Sequence, residues 1–327
     1  MLNSDGFASQ TWRHDENGRV LETSYLGTDG KPVQNANGCA RNTLQYNAQG
    51  RCELFSCFGV NGEPCLNKDG FSSFTQKYDE MGNLTELRFF GTDGKPILIA
   101  EGYALLRSVY DERGNLIAER YYGISEEPVL CSGGYASQEY EYDEGGRITQ
   151  SRYYGADGNL IMLPSHFAMQ RQSFNRSGKC AEVSYYGTDE SLCLNADGFA
   201  LLRMKYDDSG RLSETRYYGT DGAPILRAGG YAGFTSTFDK NGQLTLYQYL
   251  GADGEPVLSE NGISAVVYEY DDAGRTTFTG YLDTEGNPTN SSSGFCFYRN
   301  TYGEDGSLLQ TDFYDADGTL LGSVQGP

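Results

Sequence analysis

The chain is poor in histidine, tryptophan and basic residues, and each shortage excludes something. Two histidines, His14 and His166, supply neither an imidazole-based zinc cluster nor a Ser-His-Asp triad. Twenty-five Lys and Arg against 45 Asp and Glu leave a formal net charge of -20. Such a surface repels a phosphate backbone, so nucleic acid is not expected as a partner. It suits a self-repelling surface, or one that meets basic partners. No apolar run approaches the roughly 20 residues of a spanning helix, and no membrane insertion is expected of this segment. A Walker loop, a Rossmann fingerprint and a nucleophile elbow are missing, so an enzyme is not expected within these residues. The opening residues, MLNSDGFASQTWRHDENG, lack the basic start and apolar stretch of a signal peptide.

What the chain has in quantity is Gly (43), Tyr (26) and Phe (16). They recur on a lattice. Stepping by 32 residues from Gly6 meets Gly38, Gly70, Gly102, Gly134, His166, Gly198, Gly230, Gly262 and Gly294. A second glycine, at position 13 of each unit, runs unbroken from Gly18 to Gly306. The expected organisation is therefore ten tandem units over 6–325, with 1–5 as the tail of a truncated preceding repeat and 326–327 as terminal residues. The tail is suggested by LNSDGFA at Leu2, which matches LNKDGFS at Leu66 and LNADGFA at Leu194. Constant unit length is expected when each unit stacks on the next and a slip would break both interfaces.

Within a unit, Y-D-x-x-G and G-x-D-G read as turns between short strands, and Pro opens a third apolar segment, P-V-L. Nothing sustains a 3.6-residue period. The fold class expected is all-β: an elongated array of hairpins, as a solenoid or a spiralling sheet. Four columns, at unit positions 2, 9, 20 and 21, hold 33 of the 42 Tyr and Phe residues, so the rings are architectural first. Positions 20 and 21 are adjacent and must face opposite sides of a regular strand.

YEYDEGGRITQ at Tyr140, YEYDDAGRTT at Tyr268 and KYDDSGRLSE at Lys205 resemble the core of the tyrosine–aspartate (YD, or Rhs-type) repeats. The resemblance recurs in all ten units, more loosely in the first, sixth and tenth. It implies hairpins joined into a long spiralling sheet, sometimes a hollow shell around a toxin, in a bacterial surface or secreted protein. The strict period and regular third segment depart from that family, and no shell-closing or cleavage motif is present. YYGADG is also similar to the hairpins of choline- and glucan-binding wall modules, which are usually rich in Trp; this chain has only Trp12.

Substitution within the columns separates candidate chemistry from turn structure. The Asp of position 10 becomes Asn47, Asn175 and Gly303, and that of position 24 becomes Asn61, Ser125 and Glu285. Asn and Ser make the same turn hydrogen bond but do not titrate like Asp, so these are turn residues rather than catalytic acids. The same pattern leaves no cofactor expected beyond weak calcium binding at acidic turns. His14 replaces a Tyr or Phe and His166 a Gly; both read as drift. Cys52 with Cys65, and Cys180 with Cys193, fall in the same two columns of the second and sixth units, which suggests contact and disulfides Cys52–Cys65 and Cys180–Cys193. Cys39, Cys57, Cys131 and Cys296 occupy apolar or variable positions and suggest no pairing. Tyr122, Tyr154, Tyr186 and Tyr218 form the longest Tyr series at position 21, a candidate ladder for a glycan or protein ligand, set against plain packing between units. The function expected is a non-catalytic repeat scaffold, extracellular or at a cell surface. The alternative is a shell or stalk segment whose activity is encoded elsewhere.

Overall fold

The computed structural model describes residues 1–326; among these are 21 β-strands and no helix. The chain divides into two compact units, Met1–Pro164 and Ser165–Pro327. In each, antiparallel hairpins follow one another in chain order. The pattern is set by β1 (Ser9–His14), β2 (Val20–Leu26), β3 (Arg41–Tyr46) and β4 (Cys52–Phe58). β1 and β2 pair from Ser9↔Leu26 to His14↔Val20, with a bulge after Arg13. β2 then pairs with β3 over a shorter stretch, Glu22↔Thr43 to Ser24↔Arg41. In the second unit the strand Leu201–Tyr206 does the same with Leu212–Tyr218 and with Cys180–Tyr186.

The turns explain why the sequence breaks where it does. Asp15 Oδ1 accepts the backbone N–H groups of Asn17 and Arg19, each at 2.9 Å. Gly18 closes the turn at φ 79°, a left-handed conformation that a Cβ disfavours. Asn47 accepts the equivalent two bonds from Gln49 and Arg51, at 3.0 and 2.9 Å, which is why Asn replaces Asp freely. A third turn of the same make, not recognised in the sequence, is nucleated by Asn35, whose Oδ1 accepts from Asn37 and Cys39 at 3.0 and 3.1 Å. Glu126, His166 and Glu190 stand at turn-glycine positions and adopt φ of 63°, 65° and 60°. A side chain there costs roughly 1 kcal/mol. For Glu126, ion pairs to Arg88 and Arg107 offset that cost.

The third segment is not the strand its apolar run suggests. Pro32 makes an isolated bridge to Leu26, and Val33 N–H donates to Tyr25 O at 3.0 Å. Pro has no N–H to extend a ladder, and turns on both sides leave too few residues for one.

Consecutive hairpins are joined by three recurrent contacts. The small residue at position 3 donates within its own hairpin (Ala200 to Tyr218 O, 2.8 Å) and accepts from the preceding one (Tyr185 to Ala200 O, 2.9 Å). The position-9 phenol donates to a carbonyl of the preceding hairpin: Tyr46 to Val20 O, Tyr78 to Cys52 O and Tyr206 to Cys180 O, all at 2.8 Å. The rings at positions 2 and 20 alternate in one ladder. In the first unit it runs Phe71, Phe89, Tyr103, Tyr121, Tyr135 and Tyr153, with centroids 4.9 to 5.9 Å apart. In the second it runs from Phe167 through Tyr185, Phe199, Tyr217 and Tyr231 to Tyr249.

Phe199 is 4 % exposed and sits between two rings of the ladder, whereas Trp12 is 53 % exposed. Phe199→Ala is expected to lower stability by about 3–4 kcal/mol in a denaturant titration. Trp12→Ala is expected to change it by less than about 0.5 kcal/mol.

Candidate functional site: the arginine-capped tyrosine face

The ladder uses positions 2 and 20 and leaves position 21 on the other side of the strand. Tyr218 is paired with Leu201, and Arg203, two residues along, shares its face. The Arg203 guanidinium lies 4.8 Å from the Tyr218 ring centroid, and its Nε donates to Glu182 Oε2 at 2.9 Å. Arg171 covers Tyr186 at 4.8 Å. In the first unit Arg107 covers Tyr122 at 5.1 Å while bridging Glu86 at 3.3 Å and Glu126 at 2.6 Å. Position 6 is Glu139 beside Tyr154, and the Tyr154 hydroxyl donates to its Oε2 at 3.1 Å.

Tyr122 and Tyr154 therefore belong to one such face in the first unit, and Tyr186 and Tyr218 to another in the second. All four rings are half-buried. Each lies beside a charged side chain, Arg107, Glu139, Arg171 or Arg203. The capping arginines escaped sequence reading because position 6 carries Thr, Glu or Val in other units.

The expected disulfides are corrected. Cys52, Cys65, Cys180 and Cys193 are free thiols, and the disulfide joins Cys39 to Cys57. Cys52 opens β4, whereas the Cys65 N–H bonds to Cys57 O, five residues further along the strand. At ~3.4 Å per residue the two columns are about 17 Å apart, beyond the ~7 Å that a disulfide spans. The same reasoning separates Cys180 from Cys193, whose N–H bonds to Tyr185 O. Cys39 and Cys57 occupy positions 2 and 20 and so replace one ring pair of the ladder. The sequence held that signal: both aromatic columns turn to Cys in the same unit.

The acidic turns border open clefts, one of about 460 Å³ lined by Asp111, Arg113, Asn115, Tyr140 and Asp143. Their carboxylates are already engaged. The Asn115 amide holds the Asp111 carboxyl below its ordinary value, and Arg147 does the same for Asp143. These groups stay ionised at neutral pH and are poor proton donors. Among the described residues no cluster of three His, Cys, Asp or Glu is placed to hold a metal ion. No helix among them is long and apolar enough to cross a membrane.

No protein-family model and no curated protein matches the sequence. Solved structures do match. The crystal structure of TcdB2-TccC3-TEV aligns over 95 % of this chain at 12 % identity and a TM-score of 0.55. The fold is of the YD/Rhs-like repeat type. Crystal structures of TcdB2-TccC3-Cdc42 and TcdB2-TccC3 align over 93 % at 13 % identity, with TM-scores of 0.40 and 0.41. The chain spans about 13 % of the length of the TcdB2-TccC3-TEV chain.

The turn carboxylates set an acid limit. Because their folded-state pKa lies below the ordinary 3.8, they favour the fold above that value. That stability is lost as pH falls through the depressed folded value. Asp143→Asn, which copies Asn47 and Asn175, should melt near the wild-type temperature at neutral pH. It should lose less on acidification below the ordinary Asp range, as read by circular dichroism.

Proposed function

We propose that the chain is a non-catalytic repeat scaffold that binds a protein or glycan ligand through its arginine-capped tyrosine faces. The observation that carries this reading is the division of labour between columns. Positions 2 and 20 close the ladder, while Tyr122, Tyr154, Tyr186 and Tyr218 lie outside it, half-buried and flanked by charged side chains. A sugar ring or a peptide side chain fits such a surface by stacking and hydrogen bonding. An extracellular or cell-surface setting is supported by the Cys39–Cys57 disulfide, since oxidising compartments preserve such bonds. Calcium binding at the acidic turns is weak on this reading, because backbone N–H groups already occupy the carboxylate oxygens.

A second reading is a segment of a YD-type shell or stalk, with the activity elsewhere. The alignment with TcdB2-TccC3-TEV over 95 % of this chain favours it.

The test is a glycan array together with a panel of purified surface proteins, probed with the full chain and with the double variant Tyr154→Ala, Tyr186→Ala. Binding that falls at least about tenfold in the variant, with an unchanged circular dichroism spectrum, supports the scaffold. Binding unaffected by the substitutions overturns the assignment of these faces. Absence of binding across both panels leaves the shell or stalk reading in its place.

A further inference from the structure

The corrected disulfide has a third sulfur beside it. Cys65 Sγ lies 3.2 Å from Cys57 Sγ, and its thiol also donates to Gly38 O at 3.5 Å, next to Cys39. Its place is set by the fold. Position 28 donates its N–H to position 20 in unit after unit, as Val33 does to Tyr25 and Ile97 to Phe89. Ile97 packs against the cluster that holds Phe89, and Cys65 likewise meets Cys57. In the second repeat position 20 is half of a disulfide. The sixth repeat supplies the contrast: Cys193 has the same seat, with its thiol 3.3 Å from His166 O, but Tyr185 is at position 20.

Exposure differs among the three sulfurs. Cys39 and Cys57 are 1 % and 0 % exposed, which closes the disulfide to attack from solvent, while Cys65 is half-buried and reachable.

We infer that Cys39, Cys57 and Cys65 form a thiol–disulfide relay through which an external low-molecular-weight thiol reduces an otherwise sealed disulfide. In the first step the Cys65 thiolate attacks Cys57 Sγ. The Cys57–Cys65 bond forms, the Cys39–Cys57 bond breaks, and Cys39 leaves as a thiolate that takes up a proton; no net oxidation occurs. The new disulfide has one sulfur within reach of solvent. An external thiolate attacks Cys65 Sγ, giving a mixed disulfide and releasing Cys57 as a thiolate. A second external thiol then frees Cys65 and departs as the oxidised dimer. Overall, two external thiols are oxidised and one protein disulfide is reduced to two thiols.

Burial and the nearby Glu63 carboxylate push the Cys65 thiol above its ordinary value. The attacking thiolate is accordingly a minor species at neutral pH.

The experiment exposes the full chain to reduced glutathione, quenches aliquots in acid, blocks free thiols with N-ethylmaleimide and maps linked peptides by mass spectrometry. In the wild type a Cys57–Cys65 pair with blocked Cys39 should appear before both bonds are lost. Cys65→Val places at position 28 the residue found at Val33, Val129 and Val257, so the fold is kept; its disulfide should be reduced about tenfold more slowly. Cys39→Ala leaves Cys57 facing Cys65, and oxidised glutathione should join them. The relay is overturned if Cys39–Cys57 is the sole linked pair recovered from wild type at every time. An unchanged reduction rate in Cys65→Val, or failure of Cys57 and Cys65 to join in Cys39→Ala, overturns it equally.

Discussion

The alternation of position-2 and position-20 rings is the constraint on which the rest of each unit depends. A lone antiparallel hairpin of this length buries too little to persist in water. Here a ring such as Phe199 lies between one from its own hairpin and one from a neighbouring hairpin, so neighbours complete a core that no hairpin owns. The backbone cooperates at position 3, where Ala200 bonds both to its own hairpin and to the one before it. Only a small residue fits there: Ala104, Ala168, Ala200 and Ala232 are essentially inaccessible.

Where the ladder changes chemistry, the replacement keeps the contact. Cys39 and Cys57 substitute a covalent bond for ring packing, bridging the same two positions. In the ninth repeat Ile263 stands at position 2 and is buried, and the rings resume with Tyr281, Phe295 and Phe313. The turns show the same tolerance. Glu126, His166 and Glu190 take on the backbone conformation of the glycines they replace, and the hairpins on either side keep their register.

Much of this was legible in the residues because it is periodic. The all-β class followed from turn signals and from the lack of a helical period. The separation of positions 20 and 21 followed from strand geometry alone, and Tyr217 and Tyr218 do lie on opposite sides, one in the ladder and one under Arg203. What stayed hidden depended on distances between columns. Nothing in the spacing reveals that position 28 returns to position 20 rather than to position 15, so Cys65 was matched with Cys52 instead of Cys57. The third turn was missed because Asn35 and Gly38 belong to different units once Gly is taken as the first position. The capping arginines were missed because Arg107, Arg171 and Arg203 share a column with Thr, Glu and Val.

The hydroxyl of the position-9 tyrosine repeatedly ends on the same carbonyl of the hairpin before it, as Tyr46 does on Val20 and Tyr78 on Cys52. Within either unit, this bond and the position-3 backbone bonds thus have equivalent destinations from hairpin to hairpin. Excising or duplicating one whole copy of the gene segment would rejoin equivalent backbone surfaces. Unequal recombination can therefore shorten or lengthen such a protein in whole steps, while a change of a single codon within a strand would shift that hairpin's register against its neighbours.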